Sequence, residues 1–255
     1  MSQRKASQLP LLPSLARSEA EQQRKRPPVA VAPAVPSVAT PVELNRKPAG
    51  SLLFRQVFGR VEKETKPGFH LFTGAGRTSA LALPFAAYFA ARGETVAVVE
   101  AANNFNLYRL TEWARCHGMA PLELLNRLRI ARSFTPFQLV VILEYIGKEM
   151  ARYQATRLVI TGLPDCLYDE ELTNVEARNT FARCRQSLQR LAAQTTVLAF
   201  AEAPPQAVGG RARFQETLLR LSRTAYEVHP GEPACFVPMK APDLLLMNAK
   251  VEKDS

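Results

Sequence analysis

From Ser51 onward, short apolar and β-branched runs recur along the chain. TVAVVE (95–100), RIARS (129–133), RLVITG (157–162) and TTVLAF (195–200) are such runs, and a further strand is predicted to begin at Gly68. Runs of this kind fit strands buried on both faces of a parallel sheet. Between them the period lengthens to that of a helix. In Pro136–Tyr153, Leu139, Ile142, Leu143, Ile146 and Met150 fall on one face; in Val175–Ala193, Ala177, Phe181, Cys184, Leu188 and Leu191 do the same. Strand and helix in alternation predict an α/β fold with a mostly parallel sheet, right-handed crossovers and helices on both sides. There is no internal repeat.

Residues 1–50 break this pattern. They hold eight of the 19 prolines and no aromatic residue, with eight basic residues against three acidic ones. Proline at that density blocks helix and ladder alike, so the segment is expected to be a disordered basic tail. It carries +5 of the net charge of +10, and Lys5, Arg24, Lys25 and Arg26 are placed to add non-specific phosphate affinity. The longest apolar stretch, Ala80–Ala91, spans about 12 residues against the roughly 20 of a membrane helix, so no membrane span is expected. The first residues lack the apolar core of a signal peptide. Cys116, Cys166, Cys184 and Cys235 form no CxxC pair and the only histidines are His70, His117 and His229, which excludes a disulfide framework and a zinc site and suits the cytoplasm.

Phosphate chemistry has one candidate. Gly68-Phe-His-Leu-Phe-Thr-Gly-Ala-Gly-Arg-Thr-Ser reads as strand, loop and helix start. Glycines at 74 and 76 could turn successive N–H groups toward an anion, and the helix N-terminus adds partial positive charge. Gly74, Ala75, Gly76, Arg77, Thr78 and Ser79 are therefore the candidate nucleotide-binding residues, with the Thr78 hydroxyl the candidate metal ligand. Against GxxxxGK[ST] the match is partial: Leu71 stands at the first glycine and Arg77 at the lysine. Arg77 keeps the charge but is not interchangeable with lysine.

The following segment, from Val98 through Glu100, Asn104-Phe105, Arg109-Leu110, Gly118–Pro121, Leu125–Ile130 and Arg132–Thr135 to Gln138, resembles the RecA/RadA recombinase-type P-loop ATPase core with degenerate Walker motifs. The resemblance runs from about Gly68 to Tyr226. It implies a RecA-like domain at 51–245, between the tail at 1–50 and a C-terminal tail at 246–255. It implies ATP and Mg as cofactors and makes Glu100 the counterpart of the water-activating glutamate. The family's metal-holding strand ends in aspartate, whereas RLVITG ends in Thr161-Gly162 and the nearest acid is Asp165.

Two loops are implied to face DNA, Gly162–Asn174 and Glu202–Phe214. The second offers Arg211 and Arg213 to phosphates, whereas the first is acidic. Phe200-Ala-Glu-Ala203 fits the family's FxxA oligomerisation pattern, but at a buried strand end it reads as a chance match. Two functions are expected from the resemblance. One is a DNA recombination or repair protein binding DNA and ATP, with at most a weak DNA-dependent ATPase. The other is a pseudo-ATPase that docks on an active RecA-like paralogue or a repair polymerase. A homo-oligomer is compatible with both.

Overall fold

Eight strands form one sheet, ordered β1-β8-β7-β2-β6-β5-β3-β4. The computed structural model describes residues 52–64, 66–205, 209–229, 231 and 234–240. The expected tails at 1–50 and 246–255 lie outside the described residues. In chain order the strands are β1 (Leu52–Leu53), β2 (Gly68–Gly74), β3 (Val96–Glu100), β4 (Leu128–Arg132), β5 (Arg157–Thr161), β6 (Thr196–Glu202), β7 (Thr224–His229) and β8 (Cys235–Lys240). The helices are α1 (Phe54–Lys63), α2 (Ala82–Ala91), α3 (Leu107–Cys116), α4 (Pro121–Asn126), α5 (Pro136–Tyr153), α6 (Asn174–Ala192) and α7 (Arg213–Leu221). From β7 across to β4 every pairing is parallel; β8 and β1 add an antiparallel margin.

The apolar patterns fold as read. β3, β4, β5 and β6 coincide with the four predicted runs to within two residues. In α5, Thr135 caps the first turn by accepting from the Gln138 amide at 3.2 Å, and Pro136 occupies the first helical position, where no N–H is needed. α6 opens on a capping box between Thr173 and Glu176. β6 runs two residues past its prediction because Ala201 and Glu202 pair with Thr73 and Gly74 of β2. β1, β7 and β8 lie outside the predicted runs. β1 covers only Cys235 and Phe236, so Pro238 lies where β8 is an edge, which tolerates a missing N–H.

Alternation along the strands divides the core into two layers. Phe69, Leu71, Val99, Ile160 and Val197 face α5, α6 and α7. Phe72, Val98, Leu198, Phe200 and Phe236 face α1 to α4. Phe200 is fully buried and stacked on Phe72, ring centroids 4.7 Å apart, so the phenylalanine of the FxxA-like segment belongs to the core and is not free to insert into a partner. No helix among the described residues is long and apolar enough to cross a membrane.

The connections set the site. The chain leaves β2 toward β3 on one side and later crosses back over β2, from β6 to β7. In open parallel sheets such a reversal opens a crevice at the carboxyl ends of the strands.

Candidate functional site

β2, β6, β5 and β3 all end at that crevice, and the strand–loop–helix segment lies in it. Gly74 is the last residue of β2, and a Cβ there would collide with the carbonyl of Val228. Its glycine serves close packing against β7 rather than an unusual turn. The turn comes at Gly76 and Arg77, both left-handed at φ 71° and 66°. They lead into a 3₁₀ turn at Thr78–Leu81 that continues as α2. Leu71 is fully buried inside β2. The stretch that would wrap a phosphate chain is therefore sheet, and only residues 75–77 form the loop.

The helix start is already capped by the protein. Ser79 donates its backbone N–H (3.0 Å) and its hydroxyl (2.7 Å) to Glu202 Oε1. The Asn104 side-chain amide donates to the Ser79 hydroxyl oxygen. The Glu202 amide in turn donates to both carboxylate oxygens of Asp165, at 3.1 and 3.2 Å. Burial pushes Asp165 up to about 7; the amide it accepts from offsets part of this, and the Glu202 carboxylate nearby adds to it. Thr78 is buried, its hydroxyl without a partner among the described residues.

Glu100 ends β3, also buried. Its Oε1 accepts from the Asn104 amide at 2.9 Å. Arg132 Nε lies 3.0 Å from Oε2, an ion pair at an angle that makes no hydrogen bond. Glu100, Ser79, Asn104, Phe105, Arg109 and Thr161 line a pocket of about 20 Å³, room for a single water.

These residues do not fit magnesium–ATP. A carboxylate holds the Ser79 N–H where a phosphate oxygen would bind. An anion at 4 Å from it meets a repulsion of about 1 kcal/mol in water and about 4 kcal/mol at the effective dielectric of a protein surface. β5 ends in Thr161, whose hydroxyl accepts from the Ala101 amide at 3.3 Å, so no carboxylate stands at the strand end. Among the described residues no group of three or more Cys, His, Asp or Glu is placed to hold a metal ion.

Of the sequence-derived site residues, the structure brings Ser79 and Glu100 to one pocket and leaves Ala75, Gly76 and Arg77 exposed on the turn above. Arg211 and Arg213 part company. Arg213 is exposed at the start of α7. Arg211, expected to touch DNA, turns inward instead. Its guanidinium donates to Asn174 Oδ1 (2.9 Å), to the carbonyls of Leu167 (3.1 Å) and Asp169 (2.7 Å), and to that of Leu172. A planar fork of five donors suits such a set of carbonyls, which lysine could not match. Arg211→Ala is expected to lower stability by about 2 kcal/mol. Urea unfolding would measure that, and amide exchange over 167–172 should speed up selectively.

Glu202, Asn104 and Arg132 complete the site, and sequence reasoning assigned none of them a role there. The sequence places Glu202 at the start of a loop; the extra length of β6 beside β2 brings it onto Ser79. No protein-family model matches the chain, and no curated protein sequence matches it.

Proposed function

We propose that this chain is a RecA-like protein of DNA recombination or repair that does not turn over ATP and serves as a docking subunit for an active recombinase or repair polymerase. The resemblance from Gly68 to Tyr226 supports the family reading, as does a strand–loop–helix at the switch point of a mostly parallel sheet. The observation that carries the non-hydrolysing reading is the Glu202 carboxylate on the Ser79 N–H and hydroxyl. Glu100, the candidate base, is held by Asn104 and Arg132 beside a pocket with room for one water. The net charge of +10 suits an assembly on DNA, with phosphate contacts that weaken steeply as salt rises.

Calorimetric titration of ATP and magnesium, with and without single-stranded DNA, tests this. The wild-type chain is expected to bind more weakly than about 1 mM, and Glu202→Ala to gain at least tenfold, about 1.4 kcal/mol. DNA-stimulated ATP turnover in the wild type, abolished by Glu100→Gln, would overturn the reading.

A further inference from the structure

α6 and α7 pack together through Phe181 and Phe214, whose rings stack with centroids 4.4 Å apart. The two helices carry six arginines and two glutamates. One of the acids, Glu176, is engaged with Thr173 in the capping box, and after it α6 has none. Its exposed positions beyond that point include Arg178, Asn179, Arg185, Gln186 and Gln189.

The arginines of α6 divide by what they face. Arg183 donates to both carboxylate oxygens of Glu144 in α5, at 2.7 and 2.9 Å, and Arg190 donates to the Glu144 carbonyl at 3.0 Å. Arg178 and Arg185 fall on the other flank, three residues before Phe181 and four after it, along the seam with α7. A Cβ on Gly210 would stand 3.7 Å from Arg178 Nη2, so that guanidinium lies against the turn that leads into Arg213. Among the described residues Arg178, Arg185 and Arg213 form no ion pair.

Such a flank is the complement of a phosphodiester backbone. Guanidinium forks grip phosphate oxygens, and Asn and Gln side chains add hydrogen bonds to phosphate and sugar. Arg178 and Arg185 are about 10 Å apart along the helix, the rise of about three nucleotides in one strand of a duplex. A protein partner would use an apolar centre, and apart from Val175 neither helix exposes a large apolar side chain.

We propose that the seam between α6 and α7 binds the phosphate backbone of DNA through Arg178, Arg185 and Arg213. This rests on the reading of the chain as one that assembles on DNA, and it moves the contact from Arg211, which is turned inward, to the flank of a helix.

Fluorescence anisotropy of the full-length chain on a single-stranded and on a duplex oligonucleotide, from about 50 to 200 mM salt, tests this. Arg178→Ala with Arg185→Ala should weaken binding at least tenfold. It should also shallow the plot of log affinity against log salt, by about 1.8 units on the duplex and about 1.4 on the single strand. Circular dichroism should not change, since both side chains are exposed and alanine favours helix. Arg178→Lys with Arg185→Lys should keep the slope, because lysine still meets a phosphate as a point charge. Arg127→Ala with Arg152→Ala takes the same charge from arginines that already face Glu123 and Glu149, and should leave the slope nearly unchanged. Whatever residues 1–50 contribute is common to all these variants and cancels. Equal losses in the two alanine pairs would overturn the proposal and leave the DNA reading standing. Wild-type affinity for poly-glutamate as high as for DNA would overturn it too, in favour of an acidic protein. No binding to either oligonucleotide would overturn both the proposal and the DNA reading.

Discussion

Arg157→Ala is expected to lower the unfolding free energy by about 3 kcal/mol, a large share of what a domain of this size has. Arg157 opens β5 and is nearly buried. Its Nε donates to Glu94 Oε2 at 2.7 Å, its Nη1 reaches the Val61 carbonyl of α1 at 3.4 Å, and its guanidinium lies 4.1 Å from the ring centroid of Phe89 in α2. One side chain thus ties the amino end of the sheet to α1 and α2. Truncation removes the pair, the cation–π contact and the packing of the stem together. Glu94→Ala leaves the guanidinium buried with a ring and a distant carbonyl, so it should cost nearly as much. The double variant should then cost clearly less than the sum of the two, because the second change removes a group already stranded by the first. Additive losses in urea unfolding would mean that the pair is not coupled.

Two buried titrating groups are expected to oppose each other between about pH 4 and pH 7. Burial, then the positive charges of Arg223 and Arg157, lower His70 from its ordinary 6.5 to about 4, and its Nδ1 is 2.7 Å from the Thr224 hydroxyl. Over that interval the unfolded chain takes up a proton that the native state refuses. Stability therefore falls as pH falls, by about 1.4 kcal/mol per pH unit. Asp165 runs the other way. Its carboxyl rises from an ordinary 3.8 to about 7, so the native state holds a proton that the unfolded chain has lost, and stability falls as pH rises through the same interval. The wild type should show little net slope from this pair. Asp165→Asn, which keeps a neutral acceptor for the Glu202 amide, should unmask a stability that climbs with pH. His70→Asn should unmask one that declines with pH. The difference between the two variants should reach several kcal/mol across the interval. Parallel curves for the two variants in pH-dependent urea unfolding would refute the assignment.

Much of the architecture was legible without coordinates, because hydrophobic period is a local record of burial. Val96–Val99 and Leu158–Ile160 are apolar throughout, since helices cover both faces of the sheet there. Pro136–Tyr153 has the predicted bounds, since its proline and its stripe of core residues lie within the segment and its cap, Thr135, directly precedes it. What could not be read was which segments become neighbours. Ser79 and Glu202 are 123 residues apart and meet only because β6 lies beside β2 and continues to its last residue. Arg211 and Arg213 look alike in a glycine-rich loop, yet the turn at Gly209–Ala212 points one at the carbonyls of 167–172 and leaves the other exposed. Leu71 counts as a missing glycine in a motif and is a strand residue in the fold. The sequence alone determined the class of fold, five of the six parallel strands and the place of the loop. Strand order and register decided that the Ser79 N–H just after the loop faces a carboxylate, because long-range pairing is a property of the assembled sheet and leaves no periodic trace in either partner.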